Sequence, residues 1–128
     1  MNIEGYNDPT AETAISNIDK RNTFMPFVYI CAAYNDGNDD CVDRHKAYCK
    51  YVYDSGYLPI DPYLLFNQFL EIEKDKDRFL LVCKAFLSHC NSMYIFGEED
   101  TEDMKILIAK AQRKGKRVQR VAGRLAAI

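Results

Sequence analysis

Residues 26–34 read PFVYICAAY, nine consecutive positions without a charged side chain. A continuous run of β-branched, aromatic and small residues, with no alternation of apolar and polar, suits a strand covered on both faces. Such a strand sits inside a sheet with helices above and below it. The rest of the chain is therefore read for the elements that would cover it.

NDGNDD, residues 35–40, is turn chemistry, and Asp40 is placed to cap a helix. In CVDRHKAYCKYVYDSG, His45, Tyr48, Cys49 and Val52 fall at i, i+3, i+4 and i+7 and share one helix face, which Gly56 ends in the left-handed conformation. YLPI is a short strand stopped by Asp61-Pro62, and Pro62 suits the first position of a short helix over residues 62–71. Phe79, Val82, Cys83 and Phe86 repeat the apolar stripe in a longer helix from Asp75 to Cys90. MYIFG, residues 93–97, is another buried strand, followed by a helix from about Thr101 to Lys114 that Gly115 closes; KRVQRVA supplies a last strand. The order β-α-β-α-α-β-α-β predicts a small α/β fold, a Rossmann-like or flavodoxin-like doubly wound parallel sheet of four strands with helices on both faces. The first strand is expected in the middle.

With 128 residues, 48% of them hydrophobic, the chain holds one compact domain, expected over residues 25–122. Residues 1–24 are polar and read as a partly disordered arm with one short helix from Thr10 to Ile18, and residues 123–128 as a tail. Seventeen basic and 19 acidic residues leave a net charge of −2, without the basic field that nucleic-acid binding needs. The basic run KRVQRVAGR has no interleaved aromatics, so no nucleic-acid partner is expected. No apolar run approaches the roughly 20 residues that span a bilayer, and no membrane partner is expected either. Five cysteines without a C-x-x-C pair, and an N-terminus lacking signal-peptide character, read as a reduced cytoplasmic protein. Their spacing does not suit zinc, and NDGNDD lacks the pattern of a calcium loop, so neither metal nor cofactor is expected.

In open parallel sheets ligands bind beyond the carboxyl ends of the strands, at the point where the strand order reverses. That rim falls at Tyr34–Asp40, Asp61–Tyr63 and Gly97–Asp103. Tyr34 and Tyr63 follow strand ends, where a planar ligand could stack. Glu98, Glu99, Asp100, Glu102 and Asp103 stabilise a helix dipole, and with Asp36, Asp39 and Asp40 they oppose a phosphate at this corner. The acids accordingly point to a neutral nucleoside-like molecule, a cation, or no small ligand at all. His45 and His89 read as isolated structural histidines without a partner placed to form a triad, and Arg78 as either an intrahelical ion-pair partner or a ligand or interface residue.

VYICAAY, YCKYVYDSGYLPIDPYLLFNQFL, MYIFG, the acidic turn with its DM, and the lysine-rich AKAQRKGK together resemble the nucleoside 2-deoxyribosyltransferase-like superfamily, in particular its small domains of unknown function from bacterial and phage genomes. The resemblance covers residues 26 to 121 and implies a Rossmann-like sheet. It also implies a helix-borne glutamate that attacks the anomeric carbon of a nucleoside and releases the base. Small relatives carry Ser-x-Gly-Met-x-x-Glu-Ile at the last helix. Here that stretch reads Thr101-Glu102-Asp103-Met104-Lys105-Ile106-Leu107-Ile108, so Asp103 replaces the glycine and Leu107 the nucleophile. A histidine of relatives is Tyr63, an acid is Asn91, and Arg78 matches a common arginine. The leading expectation is a catalytically degenerate domain binding a nucleoside-like molecule through Tyr34, Asp36, Asp61, Tyr63, Arg78, Gly97 and Glu98, or serving as an accessory protein. The alternatives are an active enzyme whose nucleophile has moved to Asp103, Glu102 or Glu98, and a homo-oligomeric scaffold.

Overall fold

The computed structural model describes residues 25–35 and 39–122. The expected arm with its Thr10–Ile18 helix, the tail, and Asp36 of the expected pocket lie outside the described residues.

Nine apolar positions become β1 (Phe27–Cys31) and its exit. The chain continues through α1 (Asp39–Asp54), β2 (Leu58–Ile60), α2 (Pro62–Phe66), a 3₁₀ turn (Ile72–Asp75), α3 (Lys76–Ser88), β3 (Ser92–Ile95), α4 (Glu102–Arg113) and β4 (Arg117–Arg120). All pairings are parallel, in the order β2-β1-β3-β4. Phe27 stands beside Leu58, Cys31 beside Ile95, and Ile95 beside Arg120. The first strand is central, as its composition requires.

Although β1 is apolar throughout, its side chains still alternate. Tyr29 and Cys31 join one buried cluster with Phe79, Cys83, Met104 and Leu107 of α3 and α4. Val28 and Ile30 join another with Tyr48 and Val52 of α1. The helices thus lie on both faces of the sheet, α1 on one and α3 with α4 on the other. Right-handed crossovers that leave β1 and return in opposite directions produce this split, and they open a crevice between the C-terminal ends of β1 and β3.

Three local details differ from expectation. α1 begins at Asp39, so Asp40 lies in the first turn, where both acids oppose the positive end of the helix dipole. α2 ends at Phe66; residues 67–70 continue only as turns, with the Leu70 N–H donating to Phe66 O at 2.9 Å. Ile72, fully buried, begins a 3₁₀ turn where no element was expected. The chain must bend there to bring both Phe66 and Ile72 under α3. Gly56 (φ 94°) and Gly115 (φ 72°) take the left-handed conformation after α1 and α4, as expected of helix-ending glycines.

Candidate functional site

Asp61 leaves β2 at the C-terminal rim and serves two elements at once. Its Oδ1 accepts from the Tyr63 N–H at 3.1 Å, capping α2 ahead of Pro62, while its Oδ2 meets His45 Nδ1 of α1 at 2.6 Å. His45 Nε2 lies 2.9 Å from Ala33 O, at the exit of β1. Both ring nitrogens therefore face acceptors, and only the imidazolium can donate to both. Burial, with His45 1% exposed, disfavours that charge, yet the hydrogen bonds the ring donates to Asp61 and Cys41, the Asp61 charge and the Ala33 carbonyl outweigh it and bring the His45 pKa up to about 10. Burial would raise the Cys41 thiol, but its contacts with His45 and Tyr63 draw it below its ordinary value. The histidine expected to be isolated is thus the hub of a Cys41–His45–Asp61 cluster joining α1, β1 and β2. It shares a helix face with Cys41, four residues earlier, and that spacing was the available signal.

Tyr63 packs against His45, with ring centroids 4.7 Å apart. On its other side Tyr34 stacks nearly parallel at 5.4 Å and 18°, and Phe79 of α3 meets Tyr34 edge-on at 5.6 Å and 87°. The Tyr34 hydroxyl donates to Asp103 Oδ2 of α4 at 3.3 Å. Burial, then the neighbouring Cys83 and Asp103, hold this phenol protonated well above its usual range. Behind it is a cavity of about 20 Å³, large enough for one water. Its walls include Asp61, Tyr63, Cys83 and Leu107. Leu107 is 4% exposed, a hydrocarbon packed with Met104 and Ala111 against the sheet. It offers neither a lone pair nor a titrating group.

In front of Tyr34 is an open cleft of about 150 Å³ bounded by Tyr34, Glu73, Lys76, Glu102 and Asp103. The start of α4 forms one side of it. Thr101 Oγ1 accepts from the Met104 N–H at 3.2 Å and caps the helix, whose acids at the start and Lys110 and Arg113 at the end follow the dipole.

Of the expected residues, Tyr34, Asp61 and Tyr63 meet at the inner cavity, where Asp103 joins them. Gly97 and Glu98 instead line a separate cleft of about 320 Å³ on the α1 face, with Arg44 and Tyr48. Arg78 is exposed at the start of α3 and lines neither. Asn91 accepts from the Phe27 N–H at 2.8 Å at the opposite end of the sheet. Phe79, which closes the aromatic stack, was expected only as a core residue.

Burial pushes the Cys31 and Cys83 thiols of the inner cavity up to about 12, so both are neutral at pH 7. None of the five cysteines forms a disulfide among the described residues. Among the described residues no cluster of His, Cys, Asp or Glu is arranged to hold a metal ion, and no helix is long and apolar enough to cross a membrane. The site offers the half-buried ring of Tyr34, stacked on the buried Tyr63, and, at its mouth, the carboxylate of Asp103 that accepts from the Tyr34 phenol. No curated protein matches the chain. The family described as domain of unknown function (DUF7768) matches residues 26–121, and the protein belongs to that family.

Proposed function

We propose that this chain binds a nucleoside-like small molecule at the rim formed by the exits of β1 and β2 and the start of α4, without breaking its glycosidic bond. The observation that carries this reading is Leu107 buried in the cavity wall, where covalent sugar chemistry of the resembled kind requires an ionised oxygen. The half-buried ring of Tyr34, which borders the outer cleft, suits a planar base. Glu73, Glu102 and Asp103 around the outer cleft, against Lys76, favour a neutral or cationic ligand over a phosphate.

The test is a thermal-shift and calorimetric series of nucleosides and their 5′-monophosphates, run alongside chromatography for free base. A nucleoside at 100 times its dissociation constant adds about 2.7 kcal/mol, a Tm rise of roughly 10 °C or more for a domain of this size. Its monophosphate gives a smaller rise, and no base is released. Tighter binding of the monophosphate refutes the electrostatic argument. Base release that disappears in Asp103→Asn protein refutes the loss of turnover.

Asp103 supports the alternative of an active enzyme, because its carboxylate reaches the mouth of the cavity; Glu102→Gln and Glu98→Gln complete that comparison. The scaffold reading draws on exposed apolar side chains of α2, the turn after it and α3, namely Leu65, Phe69 (70% exposed) and Leu81. A stable oligomer by light scattering, with no nucleoside bound, would favour it.

A further inference from the structure

We propose that Tyr34 is the gate of the inner cavity and that its ring holds the ligand's place, so the ligand is a single planar six-membered ring carrying an N–H or O–H. This rests on the small-molecule reading above and adds how the site opens and which ring it admits. Tyr34 lies beyond the last residue of β1, outside the strand ladder, and its ring bridges elements far apart in sequence. One face lies on Tyr63, its ring meets Phe79 edge-on, and its hydroxyl reaches Asp103. The 20 Å³ cavity behind it and the 150 Å³ cleft before it share Tyr34 and Asp103 as walls. Rotation of this one side chain into solvent joins the two spaces.

The slot it vacates is one ring thick and one ring wide, bounded by Tyr63 and Phe79. Asp103 then loses the donor it held, and losing a partner costs a carboxylate more than a solvated group would pay. A ligand that enters must restore stacking and donate a polar hydrogen at that end. A pyrimidine with its ring N–H does both, whereas a fused two-ring base overfills the slot. Closed, the gate also lowers apparent affinity, since only the open fraction binds.

Two cysteines behind the gate allow a test that needs no ligand. Cys31 and Cys83 line the inner cavity, and Cys90, also buried, hydrogen-bonds Phe86 O away from it. Labelling by methyl methanethiosulfonate, followed residue by residue by mass spectrometry, is compared in the wild type, Tyr34→Phe and Tyr34→Ala. Removing the hydroxyl is expected to raise the Cys83 rate about tenfold or more, the factor a hydrogen bond to a carboxylate is worth, with a larger rise for alanine and none at Cys90. Uridine is expected to bind Tyr34→Phe about tenfold more tightly than the wild type, to protect Cys83, and to outcompete adenosine.

Unchanged Cys83 rates in both variants overturn the gate. So does weaker uridine binding to both variants, the behaviour of a fixed wall. Faster labelling with no nucleoside bound by any of the three proteins refutes the nucleoside reading and supports the gate. The ring slot is then read with p-cresol, the tyrosine side-chain analogue, which raises the Tm of Tyr34→Ala but not of the wild type. Failure of p-cresol to do so overturns the slot.

Discussion

Raising the pH from 6 to 10 should remove one specific contribution to stability, that of the His45–Asp61 pair. The imidazole carries its proton to about pH 10 in the folded protein, against an ordinary value of 6.5. A group whose folded pKa is raised stabilises fully below its unfolded pKa, and that stabilisation is lost as pH climbs through the folded one. Between 6.5 and 10 the native state keeps a proton the unfolded chain has released, and each pH unit is worth about 1.4 kcal/mol. Because both side chains are almost wholly buried, at 2% and 3% exposure, solvent screening removes little, and the whole window carries on the order of 5 kcal/mol. The control is His45→Gln, which leaves the Asp61 carboxylate buried beside a neutral partner, a loss of about 3–5 kcal/mol. Cys41 shares the imidazole and titrates nearby, so both proteins are compared in a Cys41→Ala background. Urea denaturation at half-unit steps should show a gap of several kcal/mol at pH 6 that nearly closes by pH 10. With slopes of about 1–3 kcal/mol per molar for small domains, that is roughly 2 M in midpoint. A pH-independent gap, or an NMR titration of His45 near 6.5, refutes the reading of a doubly donating imidazolium.

Leu107→Ala should destabilise by about 2–5 kcal/mol in thermal unfolding, the cost of a cavity in a packed wall. Leu107→Glu should cost at least as much and release no base at neutral pH, because burial keeps the new carboxyl protonated; efficient release would show an open wall. Thr101→Ala should cost about 1 kcal/mol by chemical denaturation through loss of the α4 cap, with Thr101→Ser recovering most of it. Arg120→Ala breaks a contact of 2.7 Å to Asp100, but with Arg120 45% exposed the change should stay below about 1 kcal/mol.

The sheet was readable because PFVYICAAY admits few environments and because each crossover carries a stripe at helical spacing. The boundary of α2 was not, since no proline or glycine interrupts residues 63–96 and LLFNQFLEI is apolar enough to continue a helix. What bends it is tertiary: Phe66 and Ile72 have to pack on the same side. At the site, Tyr34, Asp61 and Tyr63 were found from their places just after strands. The Tyr34–Asp103 bond and the His45–Asp61 pair were hidden, because nothing in the order of residues indicates which rim side chains the twist of the sheet brings into contact. His45 has one partner, Cys41, on its own helix, but the carboxylate that holds its charge, Asp61, arrives from a different element.

β1 leaves the ribosome before any strand that flanks it, yet it hydrogen-bonds to β2 on one side and, through Cys31 and Ile95, to β3 on the other. Until the chain has been made past residue 95, one edge of an apolar segment stays unpaired, with one of its faces lacking α4. Synthesis rather than refolding is therefore the stage at which this chain is most exposed to aggregation, and slowing translation before β3 should increase its demand for chaperones.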